Sequence, residues 1–243
     1  HPRIIQGGIG AGVSDSRLAR AVSRAGQLGV VSGTALDSIL ARRLQLGDLG
    51  GHMRRALEHF PVPEIAQRVL EEYYIEDGKA ADAPFAPVTN FSVDPPQNLL
   101  ELTVLSNFAE VWLAREGHDG PVGINYLEKI QMPHLPSIYG ALLAGVDYVI
   151  MGAGIPREIP GALDALSAHS AAALRLHIEE ATSQDDFHLR FDPRQVIDAE
   201  LPPLKRPRFL AIVASVVLAL SLAKKANGRV DGFVVEGPTA GGH

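Results

Sequence analysis

The last residues of the chain are the ones best suited to chemistry, because two glycines stand directly before a histidine. Gly241 and Gly242 have no side chains, so a flat ligand can approach the backbone closely there. His243 follows at once, and imidazole is the side chain that titrates near neutral pH. The pattern predicts a ligand-binding loop with an acid–base group beside it. The alternative is a glycine-rich loop that ends in a histidine without a chemical role.

A second glycine-rich stretch, Gly7–Gly12, follows the first predicted strand, Arg3–Gln6. Its glycines at Gly8, Gly10 and Gly12 are spaced G-x-G-x-G. The dinucleotide-binding fingerprint requires G-x-G-x-x-G, so the last glycine comes one residue early. This spacing counts against a doubly wound sheet that binds a nicotinamide cofactor.

Other catalytic and metal-binding motifs are absent from the sequence. It contains no phosphate-binding loop of the P-loop type, no serine nucleophile elbow, no His-Glu zinc motif and no close carboxylate pair. His52 and His59 are seven residues apart on a predicted helix, but no carboxylate accompanies them. We therefore predict surface histidines there and no metal site.

Composition excludes several classes of protein. The chain has 243 residues, of which 46% are hydrophobic, and a net charge of -6 without a Lys/Arg cluster, so we expect no nucleic-acid partner. Cysteine is absent, which excludes disulfides and thiolate chemistry. The most apolar run, 209–223, is shorter than the roughly 20 residues that span a bilayer. We expect no membrane partner and a cytoplasmic location; because the chain starts at His1, we also expect a fragment.

Strands alternate with helices along the chain, which predicts a parallel α/β sheet. Such a sheet is either a (β/α)₈ barrel or doubly wound, and both bind ligands at the carboxyl ends of the strands. Two insertions interrupt the alternation: a helical one at about 35–120 and one at 169–207 that contains a β-hairpin, 174–178 with 187–191. The six predicted strands are Arg3–Gln6, Leu28–Ser32, Pro121–Asn125, Asp147–Met151, Phe209–Ala214 and Phe233–Val235.

Besides Gln6 at the end of the first strand, polar side chains stand at the ends of three further predicted strands. Ser32 closes the second strand, Asn125 the third, and Ser215 follows the fifth. Because the carboxyl ends of parallel strands meet at one edge, we expect these residues to lie on the same face as the glycine-rich loops.

Three stretches resemble the nitronate monooxygenase family, formerly called 2-nitropropane dioxygenases. They are Ile4-Ile5-Gln6-Gly7-Gly8-Ile9-Gly10, Val122-Gly123-Ile124-Asn125 and Glu236-Gly237-Pro238-Thr239-Ala240-Gly241-Gly242-His243. The run 123–160 is similar to a larger bacterial subgroup with that label. Flavin-dependent enoyl-ACP reductases of fatty-acid synthesis are near relatives of the family.

The resemblance implies a (β/α)₈ TIM barrel, here truncated after the sixth strand, in which 1–243 forms a single FMN-binding domain. It implies that FMN lies across the carboxyl ends of the strands and that His243 faces the substrate. Two departures matter: relatives often carry a lysine where this chain has Ala214-Ser215, and the loops that hold the FMN phosphate would follow strands seven and eight. The implied cofactor-binding residues are Gln6, Gly7, Gly8, Ile9, Ser32, Asn125, Ser215, Gly241 and Gly242.

The implied activity is oxidation of a nitronate or nitroalkane with O₂ to a carbonyl compound and nitrite, with His243 as base or as stabiliser of negative charge. One alternative is an FMN-dependent enoyl-ACP reductase that uses NAD(P)H. Another is a barrel fragment that binds flavin poorly and has no turnover. The expected partners are the small-molecule substrate and O₂, and a homodimer is left open.

Overall fold

The computed structural model describes residues 2–176, 178 and 187–240. It is an α/β structure in which helices flank a parallel sheet of five strands. The strands are β1 Gly29–Ser32, β2 Val122–Leu127, β3 Tyr148–Gly152, β4 Ala172–Arg175, β5 His188–Phe191, β6 Arg208–Val213 and β7 Gly232–Val235. The helices are α1 Ser16–Arg24, α2 Leu36–Gln45, α3 His52–Leu57, α4 Pro63–Tyr73, α5 Gln97–Arg115, α6 His134–Leu143, α7 Ile159–Ser167 and α8 Val216–Lys225, and a 3₁₀ turn covers Pro193–Gln195.

The sheet follows the order of the chain, β1-β2-β3-β6-β7, and every neighbouring pair is parallel. In its register Ser32 lies opposite Asn125, and Asn125 lies opposite Ile150. The parallel sheet predicted from the strand–helix alternation is confirmed. All five strands therefore end at the same edge of the sheet.

The predicted hairpin is present as the antiparallel pair β4–β5, and burial alternates along β4. Its first strand begins two residues earlier than expected, at Ala172, and ends at Arg175. His177 and 179–186, in the predicted turn region, lie outside the described residues.

The first predicted strand, at 3–6, is reduced to a single bridge between Ile5 and Leu28. Gln6 explains why the pairing stops: its side-chain Oε1 accepts the hydrogen bond from Val30 N at 3.0 Å, where the next strand carbonyl would accept it. Its backbone N donates to Leu28 O at 3.0 Å. The chain then leaves the sheet at Gly7. The predicted first strand therefore lies beside β1, as expected, but it does not form a full strand.

The two faces of the sheet differ in how they are covered. On one face Val31, Ile124 and Phe209 join a large core with the helices. On the other face Leu28, Val30 and Ile150 form a separate small cluster. Alternation of side chains along each strand produces this division. The helices thus cover one face, and the second face is left to the amino-terminal segment and the strands themselves.

Helix α5 is the centre of the helical insertion and packs against α1, α2, α3 and α6. Nearly all of this helix is buried, including Glu101 and Glu110. Each carboxylate has a basic partner: Arg68 lies 2.7 Å from Glu101, and Arg43 lies 2.7 Å from Glu110. Burying these charges is tolerable because they are paired.

His52, at the start of α3, and His59, in the turn after α3, both lie at the surface and have partners within the protein. His59 stacks on Trp112 with ring centroids 4.4 Å apart, and His52 Nδ1 lies 3.1 Å from the Arg55 guanidinium. No group of three metal-ligating side chains occurs in the described part of the chain. None of the described helices combines the length and the apolar character needed to cross a membrane.

Candidate functional site

The amino-terminal segment that follows Gln6 lies across the second face of the sheet, at its carboxyl edge. Gly8 approaches the sheet so closely that a Cβ there would lie 2.9 Å from Val31 O and 3.0 Å from Asn125 Cβ. Gly7 differs, because a Cβ at that position would meet nothing within 4 Å. Gly8 is therefore required for close packing, whereas Gly7 lies beside open space.

Asn125 ties this segment to the sheet. Its Nδ2 donates to Gly8 O at 2.7 Å. The prediction that Asn125 ends its strand is wrong, since β2 continues to Leu127. Pairing with β3, in which Tyr126 lies opposite Met151 and Leu127 lies opposite Gly152, carries the strand two residues further.

A buried oxygen atom at this place has no hydrogen-bond partner among the described residues, and a serine hydroxyl lies beside it. Asn125 Oδ1 is buried and accepts no hydrogen bond from the described residues. Ser32 lies opposite Asn125 in the register and is also buried. Its hydroxyl forms no hydrogen bond with any described residue. Buried polar atoms in proteins are nearly always hydrogen-bonded, so an unpaired acceptor requires an explanation. A bound polar ligand would supply one.

The predicted cofactor residues divide into two groups. Gly8, Asn125 and Ser32 come together, with Gln6 and Gly7 beside them, whereas Ile9 is 49% exposed. The Gln6 side chain is occupied by Val30 N and Gly7 O, which leaves its role structural.

Ser215 lies apart from that group, beyond the end of β6, two strands away from β2. It is the N-cap of α8, and its Oγ accepts from Leu218 N at 3.2 Å. Gly241, Gly242 and His243 lie outside the described residues, so their convergence with this group stays a prediction.

The sequence reasoning missed a cavity of about 490 Å³ at the carboxyl ends of β1 and β2. The loop after β1, the start of α2, the middle of α5 and the loop after β2 enclose it. Ala35 is the N-cap of α2, in the left-handed region at φ 54°, and Asp37 lies in the first turn. Burial raises the pKa of the Asp37 carboxyl. A hydrogen bond from the Ser38 backbone N–H lowers this pKa and offsets part of the effect.

His134 is a second buried titratable group that the sequence did not reveal. Burial lowers its pKa to about 4, although its Nε2–H donates to Leu127 O at 3.0 Å. It borders another cavity, of about 350 Å³, together with Arg157 and Arg175. Its position in the first turn of α6, beneath the end of β2, explains its burial.

Comparison of the chain with known protein families and with curated proteins finds no match in either.

Proposed function

We propose that this chain is an FMN-dependent oxidoreductase of the nitronate monooxygenase type, built on part of a (β/α)₈ barrel. The barrel proposal rests on the strand order. A doubly wound sheet reverses its order at a switch point, whereas this sheet follows the chain from β1 to β7 without reversal. The helices lie against one face, and the second face carries only a small apolar cluster, as the interior of a barrel does.

The unpaired Oδ1 of Asn125 is the observation that carries the cofactor proposal. It lies at the carboxyl edge of the sheet, under a segment held close by Gly8. A flavin offers hydrogen-bond donors on its ring and its ribityl chain, so it is the kind of ligand that can satisfy this acceptor. The residues present therefore fit FMN at this edge, with Asn125 and Ser32 as polar contacts and Gly7 as open backbone.

FMN, when bound, would supply the electron-accepting chemistry of the oxidation. The chain's own residues would bind and orient the cofactor and the substrate. Asn125 would accept a hydrogen bond from the flavin while its Nδ2 fixes Gly8. By the resemblance, His243 would remove the proton from a neutral nitroalkane or, when protonated, stabilise the negative charge of a nitronate.

Titration with FMN, followed by quenching of flavin fluorescence, tests the cofactor site. Asn125→Ala should weaken FMN binding at least about tenfold, because a hydrogen bond to a polar group in a desolvated site is lost together with the anchor of Gly8. Asn98→Ala is the matched control, since Asn98 is exposed near the start of α5. Equal affinities in the two variants would reject the placement of FMN at this edge.

Activity measurements test the reaction. With a nitronate and O₂ the reconstituted protein should form nitrite and a carbonyl compound. Consumption of NAD(P)H with an enoyl thioester, without nitrite from nitronate, would overturn the proposal in favour of the reductase. Failure to bind flavin under any condition would reject both.

The role of His243 is tested by two forms of one substrate. His243→Ala should lower the rate with the neutral nitroalkane by about 10²–10⁴-fold, the usual contribution of general acid–base catalysis. The loss should be smaller with the anionic nitronate, since no proton has to be removed. Unchanged oxidation of the nitroalkane would make His243 a structural residue.

A further inference from the structure

The cavity at the carboxyl ends of β1 and β2 has the size of a small-molecule site. Its volume of about 490 Å³ falls in the range of 300–1,000 Å³ that is typical of ligand pockets. Leu36, at the start of α2, and Met132, in the loop after β2, contribute apolar surface. Val88 and Phe91 contribute more from the long connection before α5. A ligand with an apolar body would therefore contact apolar side chains from several segments.

The cavity wall also contains a serine hydroxyl. Ser137 borders the cavity and is only 4% exposed, yet its hydroxyl forms no hydrogen bond with any described residue. Two neighbouring hydroxyls already donate within the protein: Tyr126 donates to Asn107 Oδ1 at 2.9 Å, and Thr103 donates to Leu99 O at 2.7 Å. The Ser137 hydroxyl is not engaged in this way and is available to a ligand.

The charge in the cavity wall comes from Asp37. Its carboxylate is partly buried and forms no ion pair with any described residue. This distinguishes Asp37 from Glu101 and Glu110, the buried carboxylates of α5, each of which has an arginine partner. Lys129 also borders the cavity, but it is exposed and lies beyond ion-pair distance of Asp37. A partly buried carboxylate with no cation among the described residues favours a ligand that carries one.

We propose that this cavity binds a primary amine with an apolar body, whose ammonium group pairs with Asp37 and hydrogen-bonds to Ser137. An ammonium group has three donors and no acceptor, so it can serve both oxygens at once. The apolar body lies against Leu36, Phe91 and Met132. The proposed amine site and the flavin contacts proposed above are separate but adjacent. They meet at the carboxyl end of β1, where Gly33, in the wall of the cavity, donates its N–H to Asn125 O at 2.8 Å.

Isothermal titration with n-hexylamine, 1-hexanol and hexanoate tests the proposal on the purified full chain. The three probes share one apolar chain and differ in charge. Hexylamine should bind at least about tenfold more tightly than hexanol, as expected for a hydrogen-bonded ion pair that is partly desolvated. Hexanoate should bind more weakly than hexanol, since it places a second negative charge beside Asp37.

Three variants test which residues cause the preference for hexylamine. Asp37→Asn preserves shape and should weaken hexylamine binding about tenfold while changing hexanol binding less than twofold. Ser137→Ala should weaken it about fivefold, and Lys129→Met should leave it unchanged or strengthen it. Thermal unfolding by circular dichroism checks that each variant folds. If Asp37→Asn does not fold, Ser137→Ala and the three probes on the parent chain decide.

Three outcomes would overturn the proposal. Equal affinity for hexylamine and hexanol would show a purely apolar cavity. Tight hexanoate binding that Lys129→Met abolishes would assign the cavity to carboxylates. Hexylamine binding that neither Asp37→Asn nor Ser137→Ala weakens would place the amine elsewhere.

Discussion

Gly8 and Gly7 are adjacent residues of the same type that face different surroundings. A Cβ at Gly8 would press on the backbone carbonyl of Val31 and on Asn125, neither of which can move cheaply within the sheet. A Cβ at Gly7 would meet nothing within 4 Å. The same glycine-rich stretch therefore contains one position that requires the absence of a side chain for packing and one that does not.

Gly8→Ala should lower the free energy of unfolding by about 1–3 kcal/mol, the usual cost of forcing extra atoms into a packed site. Gly7→Ala, the matched control, should change it by less than about 0.5 kcal/mol. Urea unfolding followed by circular dichroism measures both values. Similar losses in the two variants would show that the amino-terminal segment does not lie on the sheet as described.

His134 makes the stability of the fold depend on pH. Its pKa in the folded protein is about 4, against 6.5 for the unperturbed group, because burial disfavours the imidazolium. The folded state therefore binds fewer protons than the unfolded state between these two values. Its stabilising contribution is fully present above about pH 6.5 and is lost as the pH falls toward 4.

The loss from pH 7 to pH 4 should amount to about 3 kcal/mol, since each pKa unit corresponds to about 1.4 kcal/mol. His134→Gln retains a donor for Leu127 O but does not titrate. As the pH falls from 7 to 4, the unfolding free energy of the parent minus that of the variant should decrease by this amount. A constant difference between pH 7 and pH 4 would contradict the buried, neutral histidine.

At the scale of elements, α5 is joined to two other helices through a buried carboxylate. Glu110 accepts a hydrogen bond from Ser16 N, at the start of α1, at 2.7 Å and from Arg43, on α2, at 2.7 Å. One side chain thus connects three helices. Its loss would leave a backbone N–H and a guanidinium without their acceptor in a buried place.

Glu110→Ala should therefore destabilise the protein by about 3–5 kcal/mol, as expected when one partner of a buried ion pair is removed. The control Glu58→Ala, on the exposed end of α3, should cost less than about 0.5 kcal/mol. Thermal or urea unfolding provides the comparison. A loss below 1 kcal/mol for Glu110→Ala would mean that α1 and α2 are held without this contact.

At the scale of the whole molecule, apolar surface is exposed at the end of the sheet formed by β7 and on α8. Val217 is 79% exposed and Val235 is 77% exposed, and Leu222 is the buried residue of α8. Within the described residues, β7 pairs with β6 alone, so its other edge presents unpaired backbone groups. An open strand edge beside apolar side chains promotes pairing with a second copy of the chain.

We expect concentration-dependent self-association, measured by sedimentation or light scattering. Val217→Lys should reduce it because a charge on this surface opposes pairing. Leu49→Lys is the control, since Leu49 is 86% exposed but lies in the turn between α2 and α3. A purely monomeric parent at all concentrations, or equal effects of both variants, would contradict association through β7 and α8.

Local patterns in the sequence were sufficient for the class of fold. Alternating strands and helices predicted the parallel sheet, and period-2 alternation predicted the β4–β5 hairpin. The positions of Ser32 and Asn125 near strand ends predicted that they lie together, which the register confirms. These predictions succeed because side-chain periodicity is a property of each segment and does not depend on its neighbours.

Only the tertiary structure decided which hydrogen bonds and buried groups form between segments that are distant in sequence. Gln6 replaces a strand carbonyl because Val30 lies beside it. Asn125 donates its Nδ2–H to Gly8 O, while its Oδ1 accepts no hydrogen bond from the described residues. The burial of Glu110, Asp37 and the His134 imidazole likewise depends on packing across helices and loops. No local pattern encodes these contacts, since each joins residues whose proximity results from folding.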